Sequence, residues 1–202
     1  MNIAFDIYIK NICKVNEVIA VYNYLCENAK AFDCSIILRS QLVMIVSAFD
    51  TYIHRVVINK IMQQYFSNEG EFSIQTDIPL SLSFSMRDKE DDERRKILYD
   101  FFSKKLSKDS FQSPRNIEYA FCIVGVDKIW KKLGECIQQS PEDIKGTLSL
   151  IVDRRNKIAH ESDWDNASRC YTPIELNDII DCRDFINELV RGIHTLDKEG
   201  GL

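Results

Sequence analysis

Three polar residues within six positions, Arg155, Asn156 and His160, stand where chemistry can be done. Winding residues 141–160 at about 100° per residue gathers Ile144, Leu148, Ile151, Val152, Ile158 and Ala159 on one arc, the face such a helix buries. Arg155 falls near the middle of that arc. Its guanidinium cannot shed its proton, so its burial demands an anion. Two readings compete. A carboxylate on a neighbouring helix would make a structural ion pair; a ligand such as a phosphate would make a site. Asn156 and His160 lie four apart and stack along one edge of the stripe. Histidine gives and takes protons near neutral pH, and an asparagine amide orients a hydroxyl or phosphate oxygen. By the same winding, Arg154 and Lys157 point to water.

A second helix, about 35–66, repeats the oddity. Leu38, Leu42, Ile45, Phe49, Ile53 and Val56 form its main stripe, and Val43, Ser47, Asp50, His54, Ile58 and Ile61 form another. Asp50 and His54, again four apart, thus sit in apolar company. They pair with each other, or Asp50 neutralises Arg155, or Asp50 supports Arg155 or His54 from behind. Two stripes need two covers, one of which is expected to be a flap or a partner subunit.

The elements that position these residues follow from periodicity and punctuation. Ile3, Ile7, Ile12, Val15, Val18, Ile19, Tyr22 and Leu25 give a helix over 3–31, and Asp33 or Ser35 caps the next. Residues 67–90 break the pattern with Gly70 and Pro79, and the Ser-alternating Leu80, Leu82, Phe84 and Met86 suggest an extended flap lying on the bundle. The charge run 87–96 opens a third helix through Leu106. Ser113-Pro114 starts a short helix to about Val124, Gly125 ends it, and another runs from Val126 to Ile137. Ser140-Pro141-Glu142-Asp143 starts the motif helix, and Thr172-Pro173-x-Glu175 starts the last, which runs to about Asp197. The expected fold is an all-α antiparallel helix bundle, a single domain over 1–202 with an irregular flap.

Composition narrows the classes. The 202 residues carry 45% hydrophobic and 28% charged side chains, which excludes disorder, while Gly 7 and Pro 4 are too few for the turns of a sandwich or barrel. A formal charge of −5 excludes a globally basic nucleic-acid binder but not a local basic patch. Seven cysteines at irregular spacings, with no C-x-x-C pair and the three histidines far from any cysteine pair, give no support for a zinc site. The opening MNIAFDIYIKN lacks the basic and apolar regions of a secretory signal, so reduced thiols in a cytoplasmic protein are expected. The run Ile36 to Ile61, interrupted by Arg39, Gln41, Asp50, His54 and Arg55, does not read as a membrane span. No cofactor is expected.

The run Arg155-Asn156-Lys157-Ile158-Ala159-His160 resembles the R-x4-6-H signature, with a polar residue after the arginine, of the HEPN superfamily, compact all-α domains found in many prokaryotic toxins and defence proteins. The likeness extends to the RiboL-PSP-like subgroup. It is carried by Leu38-Arg39-Ser40 and the stretch Val46 to His54, by Ser110 to Pro114, by Ile129-Trp130, and by Ile151 to Asn156 with Glu161, Asp163 and Asp165. It covers about residues 35–195.

The resemblance implies a metal-independent endoribonuclease acting as a toxin or antiphage effector, with Arg155, Asn156 and His160 as motif residues. Asp50, His54, Arg154 and Glu161 would support them. Attack by a ribose 2′-OH on the adjacent phosphate needs a base, an oxyanion stabiliser and a proton donor to the leaving 5′-oxygen. His160 suits the proton transfers, Arg155 the developing charge, and Asn156 the orientation of an oxygen. The products would be a 2′,3′-cyclic phosphate or 3′-phosphate and a 5′-hydroxyl.

Arg155 and His160 diverge by about 140° on a straight helix. Two copies meeting at a two-fold axis are therefore expected to share one cleft, giving a homodimer with a composite site. RNA is the expected substrate, and an antitoxin or other defence-system protein the expected partner.

Two features depart from the pattern. No tyrosine follows His160 until Tyr171, which argues against control by tyrosine modification, a device of some HEPN toxins. Glu161, Asp163 and Asp165 make the helix exit acidic, so phosphate contacts fall to Arg154, Lys157 and the pairs Lys104-Lys105 and Lys131-Lys132. The competing expectations are a non-catalytic HEPN module that dimerises or grips a nucleotide within a toxin–antitoxin or defence complex, and a structural partner whose Arg155 is only an ion pair.

Overall fold

The computed structural model describes residues 3–29, 33–67 and 86–202. Its centre is a helix buried over most of its circumference, with an exposed strip at Ile36, Ser40, Met44 and Ser47. In α2 (Ser35–Ser67) every residue of the main stripe is buried, and so are Ile58 and Ile61 of the second stripe. Covering such a helix takes neighbours on several sides, and α2 packs against five of the other helices. The fully buried Phe49, Ile45 and Ile53 contribute about 1.5–3 kcal/mol each. α2 is long and apolar enough to cross a membrane, but 56% of its apolar window is buried inside the protein. That is how the core helix of a bundle reads.

α1 (Ile3–Asn28) lies along α2 and buries Ala4, Tyr8, Ile12 and Val15. This phase differs from the expected one: Ile3 is 62% exposed, whereas Tyr8 turns inward and donates to Asn187 Oδ1 at 2.7 Å. A tyrosine buries well when its hydroxyl finds an acceptor, which a purely apolar count ignores. The expected flap falls mostly outside the described residues. Met86–Glu90 lead by a turn into α3 (Asp91–Leu106), whose first turn carries Asp91, Asp92 and Glu93 and whose last carries Lys104 and Lys105, both in accord with the helix dipole.

α4 (Pro114–Ile123) starts at Ser113, whose Oγ accepts from Asn116 N. Gly125, at φ 76°, then lets the chain reverse, and Val126 N closes back on Phe121 O at 3.0 Å. That turn uses up residues expected in the next helix. α5 (Ile129–Ile137) therefore begins three residues late, after Lys128 in the left-handed region. α6 (Pro141–Glu161) begins at the expected Ser140 cap, which accepts from Asp143 N at 3.1 Å.

After α6 comes a two-stranded antiparallel ribbon that the hydrophobic periodicity does not announce: β1 (Trp164–Asp165) pairs with β2 (Cys170–Tyr171), Trp164 opposite Tyr171. α7 (Leu176–Lys198) follows. It starts at Glu175, in a reciprocal capping box with Asp178, and not at Thr172-Pro173. Thr172 is drawn off to other duty: its N–H donates to Asp163 O, and its carbonyl accepts from two arginines. Among the described residues, seven helices and one ribbon make an all-α bundle.

Candidate functional site

The end of α6 is built by two consecutive left-handed residues, Ser162 at φ 53° and Asp163 at φ 61°. Both backbone N–H groups return to Lys157 O, closing the helix. The reversal carries the Asp163 side chain under the helix and into the core, where the residue is 1% exposed. Its Oδ2 accepts from Arg39 Nε at 3.0 Å and from Arg154 Nη2 at 2.7 Å. Arg39 also donates to Thr172 O and to Ser35 Oγ, both at 2.7 Å, and Arg154 to the carbonyls of Thr172 and Pro173. One carboxylate and three backbone or hydroxyl oxygens thus face two cations, though Arg154 Nε and Asp163 Oδ1 are buried without a hydrogen-bond partner. The knot ties the start of α2, the end of α6 and the ribbon together.

Two expectations are corrected here. Arg154 does not face water as a phosphate contact; it is partly buried in this knot. Asp163 does not add to an acidic exit, because its charge is enclosed between two guanidinium groups. Periodicity placed Arg154 on the outside of a straight helix and left Asp163 beyond its end. It has no view of a chain that doubles back beneath that helix.

Arg155, expected at the middle of the buried arc, is half-buried. α6 buries Ile144, Leu148 and Val152, and beyond Val152 the same face opens, leaving Ile158 partly covered and Ala159 exposed. Ala159 was expected inside; the arc holds, but the core ends a turn before it. No carboxylate among the described residues lies within 4 Å of the Arg155 guanidinium. Its Nη1 donates to Asn156 Oδ1 at 3.0 Å, and its Nε is buried without an acceptor. Of the two adjacent arginines of this helix, Arg154 is paired with a carboxylate and Arg155 is without one among the described residues.

His160 is exposed on the surface of α6 and Asn156 is half-buried. Glu161, expected to support them, is exposed beside His160. The solvent side of the helix also carries Leu150, 72% exposed.

Asp50 and His54 lie elsewhere. Asp50 Oδ1 accepts from Phe111 N at 2.6 Å and stands 3.7 Å from His54 Nε2, while the His54 ring packs on Phe111 with centroids 4.3 Å apart. Asp50 thus caps the segment before α4 and does not neutralise Arg155. The pair faces its own cleft of about 280 Å3 with Arg55, Tyr99 and Asp109. Among the described residues, no three His, Cys, Asp or Glu side chains gather as a metal site would require.

A second cleft, of about 420 Å3, adjoins the arginine knot. Its walls are Ile36 and Ile158, and the Tyr171 ring stands over it with the Arg39 guanidinium 5.3 Å from the ring centroid. Asp33, Ser35 and Ser162 bring the polar groups. Neither Asp33 nor Tyr171 was expected at a site, since both stand outside the helical motif; the ribbon alone brings Tyr171 there. Backbone and hydroxyl hydrogen bonds from Ser35 hold the Asp33 carboxyl below the usual carboxylate range.

A family model described as RiboL-PSP-HEPN matches residues 6–196. The chain belongs to the RiboL-PSP-HEPN family. No curated protein and no solved structure gave a match to it. HEPN domains as a group are associated with ribonuclease and nucleotide-related roles in toxin and defence systems.

Proposed function

We propose that this HEPN domain is a metal-independent endoribonuclease, a toxin or antiphage effector whose active form is a homodimer. The observation that carries the reading is the state of Arg155: a permanent cation, half-buried, with a buried N–H lacking an acceptor and no carboxylate beside it among the described residues. A phosphate supplies what it lacks. Asn156, already accepting from Arg155, is oriented by that bond and leaves its amide N–H groups to hold a ribose or bridging oxygen. His160 takes the 2′-OH proton or delivers one to the leaving 5′-oxygen, and Arg155 stabilises the charge that builds on the phosphorane oxygens.

Two copies solve the problem of aim. His160 projects from the exposed side of α6 and Arg155 from the other, so a phosphate held by one protomer's arginine is served by an imidazole of its partner. The exposed Leu150, on the His160 side of the helix, gives that face an apolar contact of its own. The knot of Arg39, Asp163 and Arg154 keeps the end of α6 rigid without taking part in the chemistry.

The test is incubation of the purified protein with mixed RNAs in EDTA, followed by analysis of the fragment ends. Fragments with 2′,3′-cyclic phosphate and 5′-hydroxyl ends, lost in His160→Ala and Arg155→Ala, are expected. Cleavage that survives His160→Ala refutes the assignment. A monomer at micromolar concentration in light scattering refutes the composite site.

A further inference from the structure

The cleft beside the arginine knot has the makings of a nucleobase pocket. Its volume, about 420 Å3, lies within the ~300–1,000 Å3 of small-ligand sites. Two aliphatic side chains, Ile36 and Ile158, and one aromatic ring, Tyr171, line it. Tyr171 is 55% exposed, so a face of its ring is open to a guest. The ring is also braced. Trp164 meets it edge-on with centroids 5.2 Å apart, and Arg39, 5% exposed and locked by three hydrogen-bonded partners, lies against it. A braced ring costs little entropy to stack upon, which is how unpaired RNA bases are held.

The polar groups select among bases. Arg39 Nη1 donates to Ser35 Oγ, and Ser35 in turn donates to the Asp33 carboxylate. The Ser35 N–H, 2.9 Å from Oδ1, and the Ser35 hydroxyl take two of the carboxylate's roughly four lone pairs, leaving the others for a ligand. An ionised carboxylate only accepts. It therefore favours a base edge that presents donors side by side, and guanine, with N1–H and N2–H adjacent, is the one standard base that does so. Adenine and cytosine offer one amino group beside an acceptor, and uracil a single N–H between two carbonyls.

Ile158 is three residues beyond Arg155, an axial rise of about 4.5 Å. The cleft thus borders the same stretch of α6 that carries Arg155.

We infer that this cleft is the specificity pocket of the domain, and that it takes an unpaired guanine of the RNA, stacked on Tyr171 and read by Asp33. The inference rests on the ribonuclease reading but is tested apart from it, because 5′-monophosphates contain no phosphodiester to cleave. GMP, AMP, CMP and UMP are titrated against the wild-type protein, with Trp164 emission as reporter. Trp164 is 42% exposed and touches Tyr171, whereas Trp130 is 4% exposed.

GMP is expected to bind about tenfold more tightly than the other three, the lower range of what a paired base-edge contact delivers. Asp33→Asn removes that preference and leaves the other affinities alone. Tyr171→Ala weakens all four, and Tyr171→Phe restores them. Both residues are surface-lying, and unchanged melting temperatures show that the variants fold.

Equal binding of the four nucleotides, GMP affinity untouched by Asp33→Asn and Tyr171→Ala, or no saturation by about 10 mM GMP each overturns the pocket. Selective GMP binding without any RNA cleavage keeps the pocket and overturns the nuclease. Cleavage of RNA with no regard to guanine, in a protein that fails to bind GMP, does the reverse.

Discussion

Asp163→Asn isolates the charge at the centre of the knot. Asparagine has the same shape and the same tolerance of a left-handed backbone, so neither the fold of the turn nor the space it fills is altered. What changes is that Arg39 and Arg154 face a neutral oxygen. The Arg39 side chain is 6% exposed, that of Asp163 0% and that of Arg154 25%, so water can reach only one of the three to any extent. Removing the anion from a buried pair costs about 3–5 kcal/mol. The carbonyls of Thr172 and Pro173 and the Ser35 hydroxyl remain as acceptors, which places the cost at the lower end, about 3 kcal/mol. For a chain of this length that lowers the melting temperature by about 6–12 °C.

Glu161→Gln, two residues away but exposed, is the control and is expected to stay within about 0.5 kcal/mol of wild type. A double-mutant cycle sharpens the test. Arg39→Met in the Asp163→Asn background is expected to cost at least about 1 kcal/mol less than in wild type, because the cation it removes is already unpaired there. Asp163→Asn melting within about 2 °C of wild type, or an additive cycle, refutes the reasoning that the knot is an electrostatically closed unit.

Further expectations follow from other parts of the molecule. The His194 imidazole is held below its ordinary range chiefly by burial, with Lys198 adding to the effect and Asp197 and Asp6 opposing it. The unfolded chain therefore takes up this proton first, and the stability His194 contributes is present above about pH 6.5 and lost as pH falls through its lowered value. His194→Phe preserves the stack on Phe5, whose ring lies 4.1 Å away, and is expected to flatten the acid side of a melting-temperature profile; an unchanged profile contradicts this. Burial pushes the Cys182 thiol up to about 12, so iodoacetamide followed by mass spectrometry should label Cys13, Cys26, Cys122 and Cys170 in the native protein and Cys182 only after denaturation. Native labelling of Cys182 at the rate of Cys13 would refute its burial. Gly192→Ala places a Cβ 2.5 Å from Leu133 Cδ1 and 2.7 Å from Ile137 Cγ2, where α5 and α7 meet, and is expected to cost about 1–3 kcal/mol in urea unfolding; a neutral effect would mean that this contact is looser than described.

Most of the bundle was legible because its helices announce themselves locally. The Ser113 and Ser140 caps, the main stripe of α2 and the first turns of the α6 arc are patterns of neighbours three and four residues apart, and each lies where the periodicity put it; Ser47 of the second stripe and Ala159 at the end of the arc are exposed instead. The site was legible only in part, for a physical reason. Arg155 stood out because one cation interrupts an apolar arc, and it keeps its unmet need in the folded chain. That Arg154 was the arginine with a carboxylate could not be seen, since the pairing depends on two left-handed residues, neither of them glycine. The capping-like Thr172-Pro173 misled in the same way: its hydrogen-bonding groups were claimed from elsewhere in the chain, and Glu175 became the cap. Asp50 was rightly marked as an unusual group in apolar company, but its partner is a backbone N–H 61 residues away, which no side-chain pattern reveals.

The knot also bears on how the protein comes into being. Arg39 leaves the ribosome 124 residues before Asp163, its counter-charge. At about 5–20 residues per second, the nascent chain carries that cation unanswered for roughly 6–25 s. During that interval the first helices can form and touch, but the turn that closes α6 has no fastening. Until Asp163 emerges, unfinished products lack a rigid end to α6, so the helix that carries Arg155, Asn156 and His160 is completed only late in synthesis.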